Sequence, residues 1–260
     1  MKFYEINKEI YVFFTRDNVL YENENNGIIL QSINGTIDSM EYGKYSKGIE
    51  TRDRIVSVAK SMFKQNGYDK TKVSDICKAA DVKLGTFTYY FHSKQDLVSE
   101  IYANLLVVCF QLATTRNLQH MGFFQTNLTA DQFYYCAIFS DPSSARYYHE
   151  VLQRMSVFDY IGRHVNRMYS SYNREFHLHM TEEDFYDILL VDSGIRREFF
   201  TDMFKNYGYS IPMDVIEKYI RKMNLYLAKA MGIDIRLVQE FIDNAEQLVH
   251  KVGLEKVHLF

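Results

Sequence analysis

Residues 71–94 read TKVSDICKAADVKLGTFTYYFHSK. Thr71 is a good N-cap for a short helix whose Val73, Ile76, Cys77 and Ala80 fall on one inward face. Asp81 sits where the chain must turn, and a second short helix follows from near Lys83 to Tyr90 or Phe91. Two short helices joined by a tight turn have the layout of a helix-turn-helix, in which the second helix enters the DNA major groove. Phe87 and Phe91, four residues apart, are expected to anchor that helix inward. Of Tyr89 and Tyr90, one is expected to be partly buried and the other to face outward. Gly85 lets backbone approach DNA closely. Thr86 can hydrogen-bond a base edge or phosphate and offer its methyl to thymine. Lys83 brings charge to a helix N-terminus that itself favours an anion. His92 brings a polar tip beside the groove and Lys94 a phosphate contact. The second helix has no Arg, so a bidentate guanine contact falls to Lys83 if to any of its residues.

Outward from this stretch the pattern is helical. Ile55, Ala59, Met62 and Phe63 recur at helical spacing and make one apolar face of a first helix that begins near Glu50–Thr51 and ends at Asn66–Gly67. Ser93 with Asp96 three residues on is a capping box for a long helix striped by Leu97, Ile101, Leu105, Val108 and Leu112. Further starts are expected at Thr129, at Asp141–Pro142, at Thr181 with Asp184, and at Ser210 with Pro212 just inside, for roughly six more helices. Two prolines and 12 glycines in 260 residues, with 47% hydrophobic residues, favour long helices around a sizeable core. Residues 1–39 differ: Glu9–Phe14 and Gly27–Leu30 are β-prone runs set among Asn and Glu, with three alternatives expected: a hairpin or ordered arm, a weakly structured extension, or a stretch upstream of a start at Met40.

Charge is unevenly spread. Thr51–Leu97 carries nine Lys/Arg against five Asp/Glu, a net of +4, which leaves −7 for the rest of a chain whose total is −3. A basic module on an acidic body suits a segment that meets phosphate. Cys77, Cys109 and Cys136 are widely spaced with no CxxC pair, so buried reduced thiols in a cytoplasmic protein are expected, with no metal site and no cofactor. No apolar run is expected to approach a membrane span of about 18 residues. His177–Leu178–His179 before Glu182–Glu183–Asp184 invites a metal reading, but residues i and i+2 do not share a helix face, and Thr181 with Asp184 is better explained as a helix start. GxSxG, P-loop and dinucleotide fingerprints are absent from the sequence, and no enzyme is expected.

The ordered set Ile55, Ala59, Phe63, Gly67–Tyr68, Thr71, Val73, Asp75–Ile76, Ala79–Ala80, Val82, Gly85–Thr86–Phe87, Tyr90–Phe91, Ser93–Lys94 and Asp96–Leu97 resembles the DNA-binding domain of TetR-family transcriptional regulators, over some 50 residues. Asp81 replaces the family's usual turn glycine, Lys83 a common small capping serine, and Thr88 a tyrosine that often contacts phosphate. The resemblance implies an all-α protein: an extension over 1–39, a three-helix DNA-binding domain over 40–97, and a helical effector-binding and dimerisation domain over 98–260. It implies DNA contacts at Thr71, Lys72, Lys83, Leu84, Gly85, Thr86, Thr88, Tyr89, Tyr90 and Lys94.

It further implies a homodimer on palindromic double-stranded DNA that acts as a repressor released by a small-molecule effector. The alternative is a DNA-bound protein that acts through a protein partner without an inducer. An effector pocket would draw on the aromatic-rich residues Tyr102, Phe110, Phe133, Tyr134, Tyr148, Met155, Phe158, Tyr169 and Tyr172. The dimer face maps to helices near 182–206 and 212–231, through Ile188, Leu189, Ile195, Phe199, Ile216, Tyr219, Ile220 and Leu227.

Overall fold

The apolar face that begins at Ile55 continues one long helix. In the computed structural model, which describes residues 10–14, 18–23, 27–32, 42–115, 122–155, 168–255 and 257–260, α1 spans Tyr42–Lys70 and so starts a full two turns before the expected point. It does not stop at Gly67 but kinks there, with φ 81° and ψ 177°, a backbone state that glycine alone enters without strain. Then follow α2 (Val73–Ala79), α3 (Leu84–Tyr90), α4 (Lys94–Thr115), α5 (Phe123–Phe139), α6 (Pro142–Arg154), α7 (described over 168–176), α8 (Glu182–Tyr207), α9 (Met213–Met231) and α10 (Ile235–Val252). The six helices after α4 match the number expected, counted among the described residues. The N-terminal region is a three-stranded antiparallel meander of β1 (Ile10–Phe14), β2 (Asn18–Asn23) and β3 (Gly27–Ser32), with Tyr21 opposite Ile29 and a register break in β1 between Tyr11 and Phe13. The middle strand escaped the sequence reading because its short apolar run, Val19–Tyr21, is flanked by turn-forming Asn18 and Asn23.

Helix α5 is the axis of the trunk. It packs against α4, α6, α9 and α10 and is buried on nearly every side, as a helix apolar all round must be. Its start was misplaced at Thr129, which lies mid-helix and is buried. The Thr129 hydroxyl donates back to the Gln125 carbonyl at 2.9 Å, so it serves no cap. The true N-cap is Gly122, and the capping carboxylate arrives from α7: Glu175 Oε2 accepts from the Phe124 N–H at 2.8 Å. A Cβ on residue 122 would lie 2.0 Å from Glu175 Oε1. Asp141 and the Thr181–Asp184 box cap α6 and α8 as expected, whereas α9 takes Pro212 as its N-cap and begins at Met213.

Helix α4 corrects another expectation. Over Lys94–Thr114 it is long and apolar enough to cross a membrane by length and composition, with a mean hydropathy of 1.5, but half of that window is buried within the chain. Cys77, Cys109 and Cys136 are buried free thiols.

One ionic cluster sits inside the trunk. Arg196 and Asp192, one helical turn apart on α8, pair at 2.7 Å, both almost fully buried. Arg196 also reaches Asp131 of α5 at 3.4 Å and donates to the Tyr135 hydroxyl. Burial raises the Asp131 pKa, and the neighbouring Arg196 opposes that rise. Removing one member of such a set strands the other charges in a poorly solvating interior. Arg196→Met should therefore cost about 3–5 kcal/mol of stability, read from equilibrium urea unfolding.

His149 of α6 lies half-buried, with Nδ1 3.1 Å from the Tyr209 hydroxyl and its ring 4.6 Å from that of Phe204. Burial lowers its pKa below the ordinary 6.5, against a smaller opposing pull from Glu150. The unfolded chain then takes up this proton at a higher pH than the folded one. Its contribution is complete above pH about 6.5 and is lost as pH falls through the folded value. Urea midpoints at pH 7.5 and 5 should show a larger acid-side loss in the parent than in His149→Gln.

Candidate nucleic-acid interface

The head is built on a plug of apolar side chains. Ile55, Ala59 and Phe63 of α1, Ile76 and Cys77 of α2, Phe87 of α3, Phe91, and Leu97 and Val98 of α4 are buried together. The turn between α2 and α3 is closed by Val82 N–H donating to the Cys77 carbonyl at 3.0 Å. Asp81 takes the left-handed conformation there, at φ 49°, in place of glycine. Arg54 Nε donates to the Ala80 carbonyl at 2.9 Å and so satisfies the end of α2 from α1.

This scaffold leaves one face of α3 bare. Leu84 is 60% and Tyr89 78% exposed, and no atom lies within 4 Å of where a Cβ on Gly85 would stand. Lys72, Lys83 and Thr88 are exposed, and the Thr88 hydroxyl donates to the Gly85 carbonyl at 3.1 Å. Thr86 is half-buried. Tyr90 is the half-buried member of the tyrosine pair: its hydroxyl lies 3.4 Å from where a Cβ on Gly48 of α1 would be, and its ring meets that of Tyr89 edge-on at 5.0 Å. The structure thus brings Lys72, Lys83, Leu84, Gly85, Thr88 and Tyr89 to the surface of one motif.

Two residues from the same expected set are turned away. Thr71 is 1% exposed, and its hydroxyl donates to the Gly67 carbonyl at 2.7 Å. It is not the cap of α2, for Lys72 holds that position. Lys94 is half-buried, with Nζ 2.6 Å from the Tyr68 carbonyl oxygen and 2.8 Å from that of Thr71.

The head matches the description "Bacterial regulatory proteins, tetR family" over residues 55–101. The likeness to that family is carried by the helix-turn-helix head. The chain is 40% identical over 58 residues to the probable HTH-type transcriptional regulator YttP of Bacillus subtilis, covering 21% of this chain and 28% of that one. It is 43% identical over 53 residues to the HTH-type transcriptional regulator AcrR of Shigella flexneri, covering 20% and 25%. To the negative transcriptional regulator IcaR of Staphylococcus aureus it is 25% identical over 152 residues, 54% of this chain and 78% of that one. The chain thus spans only about a quarter of the length of the first two of these relatives. The solved structure of TylP, a TetR regulator from Streptomyces fradiae, aligns with 81% of this chain and 95% of its own at 15% identity and a TM-score of 0.46.

In the trunk, Tyr102, Phe110, Phe133, Tyr134, Tyr148, Met155, Tyr169 and Tyr172 are all buried, while Phe158 lies outside the described residues. The rings fill space against one another, as Tyr102 does against Tyr134, Tyr147 and Tyr148. A groove of about 460 Å³ lies elsewhere, between residues 254, 255 and 257–260, the α5–α6 corner and Lys64 of α1. Of the residues expected at a dimer face, Ile188, Leu189, Ile216, Tyr219, Ile220 and Leu227 are buried within this chain, and Ile195 and Phe199 half-buried. The exposed large apolar residues of α8 and α9 are Tyr186, Leu190, Val191, Tyr207 and Tyr226. His177 and His179 lie within the α7–α8 connection at φ 51° and 55°. No cluster of three or more potential metal ligands stands among the described residues.

The division between plug and bare face is directly measurable. Phe87→Ala should lose about 3–5 kcal/mol of stability, whereas Leu84→Ala and Tyr89→Ala should change it by no more than about 0.5 kcal/mol, all by chemical denaturation.

Proposed function

We propose that this chain is a sequence-specific DNA-binding transcriptional regulator that reads the major groove with α3. The observation that carries the reading is the bare face of α3, where Lys83, Leu84, Gly85 and Tyr89 stand clear on a helix pinned from behind by Phe87 and Phe91. A cation meets phosphate or a base edge, an apolar tip meets the thymine methyl, and a missing side chain allows close approach. The proposed role is binding, without catalysis.

The working form we propose is a homodimer, because a single seven-residue reading helix covers too few base pairs for a distinct site. Two copies joined across the outward face of α8 and α9 present two reading helices about 34–36 Å apart, one turn of DNA. Repression is the proposed sign, supported by the likeness to IcaR, a negative regulator. Release by a small molecule is proposed for the trunk, within the 98–260 part; α4 runs unbroken through the boundary at residue 97 and so links the two parts mechanically. A cytoplasmic location accords with this role and with the three free thiols.

Selection of bound duplexes from a random pool tests the reading: an inverted repeat with half-site centres one turn apart is expected. On that duplex, Lys83→Met should reduce the slope of log affinity against log salt by about 0.9, the loss of one phosphate contact. Failure to enrich any sequence at low ionic strength overturns the proposal.

A further inference from the structure

Lys94 opens α4 beside the DNA-facing surface, yet its charge is directed inward. Its ammonium donates to the carbonyls of Tyr68 and Thr71 and lies 3.7 Å from the centroid of the Tyr68 ring. An ammonium has three donors, and two are taken by these bonds. Burial also lowers the pKa of this amine.

The carbonyls belong to the connection between α1 and α2, where the chain turns at Gly67 and where the Thr71 hydroxyl closes back on the Gly67 carbonyl. The same connection is held from the other side by α6, where Glu150 Oε2 accepts from the Asp69 N–H at 2.9 Å. A cation from α4 and an anion from α6 therefore fix residues 67–71, from which α2 and then α3 are hung. Lys72 and Lys83, by contrast, are exposed.

We propose that Lys94 is a positioning residue: it holds the α1–α2 connection, and through it the reading helix, in the docking orientation, and does not itself neutralise a phosphate. This rests on the DNA-binding reading above. The two roles differ in one observable. A phosphate contact sets how steeply affinity falls with salt; a positioning contact changes affinity at every salt concentration alike.

The experiment has two arms, both on the full chain with the duplex enriched from the random pool. In the first, trace acetylation of the unsubstituted protein is followed by mass spectrometry with and without DNA. Lys94 should react slowly in both states, while Lys72 and Lys83 react fast and are shielded by DNA. In the second, Lys94→Met should bind about tenfold more weakly through the loss of its charge-assisted hydrogen bonds, with the parent's salt slope and faster amide exchange over residues 69–73. A slope shallower by about 0.9 with unchanged exchange, or fast labelling of Lys94 that DNA suppresses, overturns the proposal. If Lys94→Met does not fold, the labelling arm decides. If the parent binds no duplex, it is the DNA reading that has failed, and slow labelling then leaves Lys94 a purely structural staple.

Discussion

Helices of seven residues do not hold themselves together in water, because the cost of starting a helix is recovered only over several turns. Both α2 and α3 are that short. Their structure depends on what they bury: Ile76 and Cys77 from α2, Phe87 from α3, and Phe91 just beyond it, all against α1 and α4. That dependence also gives the head its division of labour. Once Phe87 and Phe91 are committed inward, the helical period puts Leu84, Gly85, Thr88 and Tyr89 outward, where they stand exposed.

The head was legible because its signals are local. Phe87 and Phe91 at a spacing of four, Asp81 at the turn, and Ser93 with Asp96 at the start of α4 each act within a few residues, and each is found as expected; Ser93 Oγ accepts from the Asp96 N–H at 3.1 Å. The trunk was less legible because its decisive contacts are distant in sequence. Glu175 caps α5 from about fifty residues away, so Thr129 looked like the better start although it is buried mid-helix. Arg196 finds Tyr135 and Asp131 across the core, and no spacing along the chain announces that pairing. Thr71 failed for the opposite reason: it is a good cap by type, but its hydroxyl donates to the nearby Gly67 carbonyl and Lys72 holds the N-cap position of α2.

Gly67 shows how head and trunk are joined. Its positive φ redirects the chain between the straight part of α1 and the α2–α3 pair, and a side chain there would meet the Glu150 carboxylate at about 2.5 Å. Arg146, Glu150 and Arg154 recur every four residues along α6 and all bind this end of α1. Arg146 donates to the carbonyls of Lys64 and Gln65, Glu150 accepts from Asp69 N–H, and Arg154 pairs with the Asp69 carboxylate at 3.3 Å. Between them Tyr147 packs its ring against Phe63 at 4.9 Å.

A joint of this composition transmits orientation more readily than it stores energy. The polar contacts at its surface are individually weak, since exposed ion pairs contribute roughly 0–1 kcal/mol each, but they are directional, and those of Arg146 and Glu150 fall on backbone groups near the end of α1. The buried ring contact between Tyr147 and Phe63 supplies cohesion that does not depend on angle to the same degree. A change in the pitch of α6 can thus shift which backbone carbonyls Arg146 satisfies and which N–H Glu150 accepts from while the aromatic contact persists, so the head can be reoriented without being detached. Because α3 is rigidly plugged into that head, any such rotation moves its bare face as a unit, and the constraint that makes short helices stable here also makes them follow the trunk.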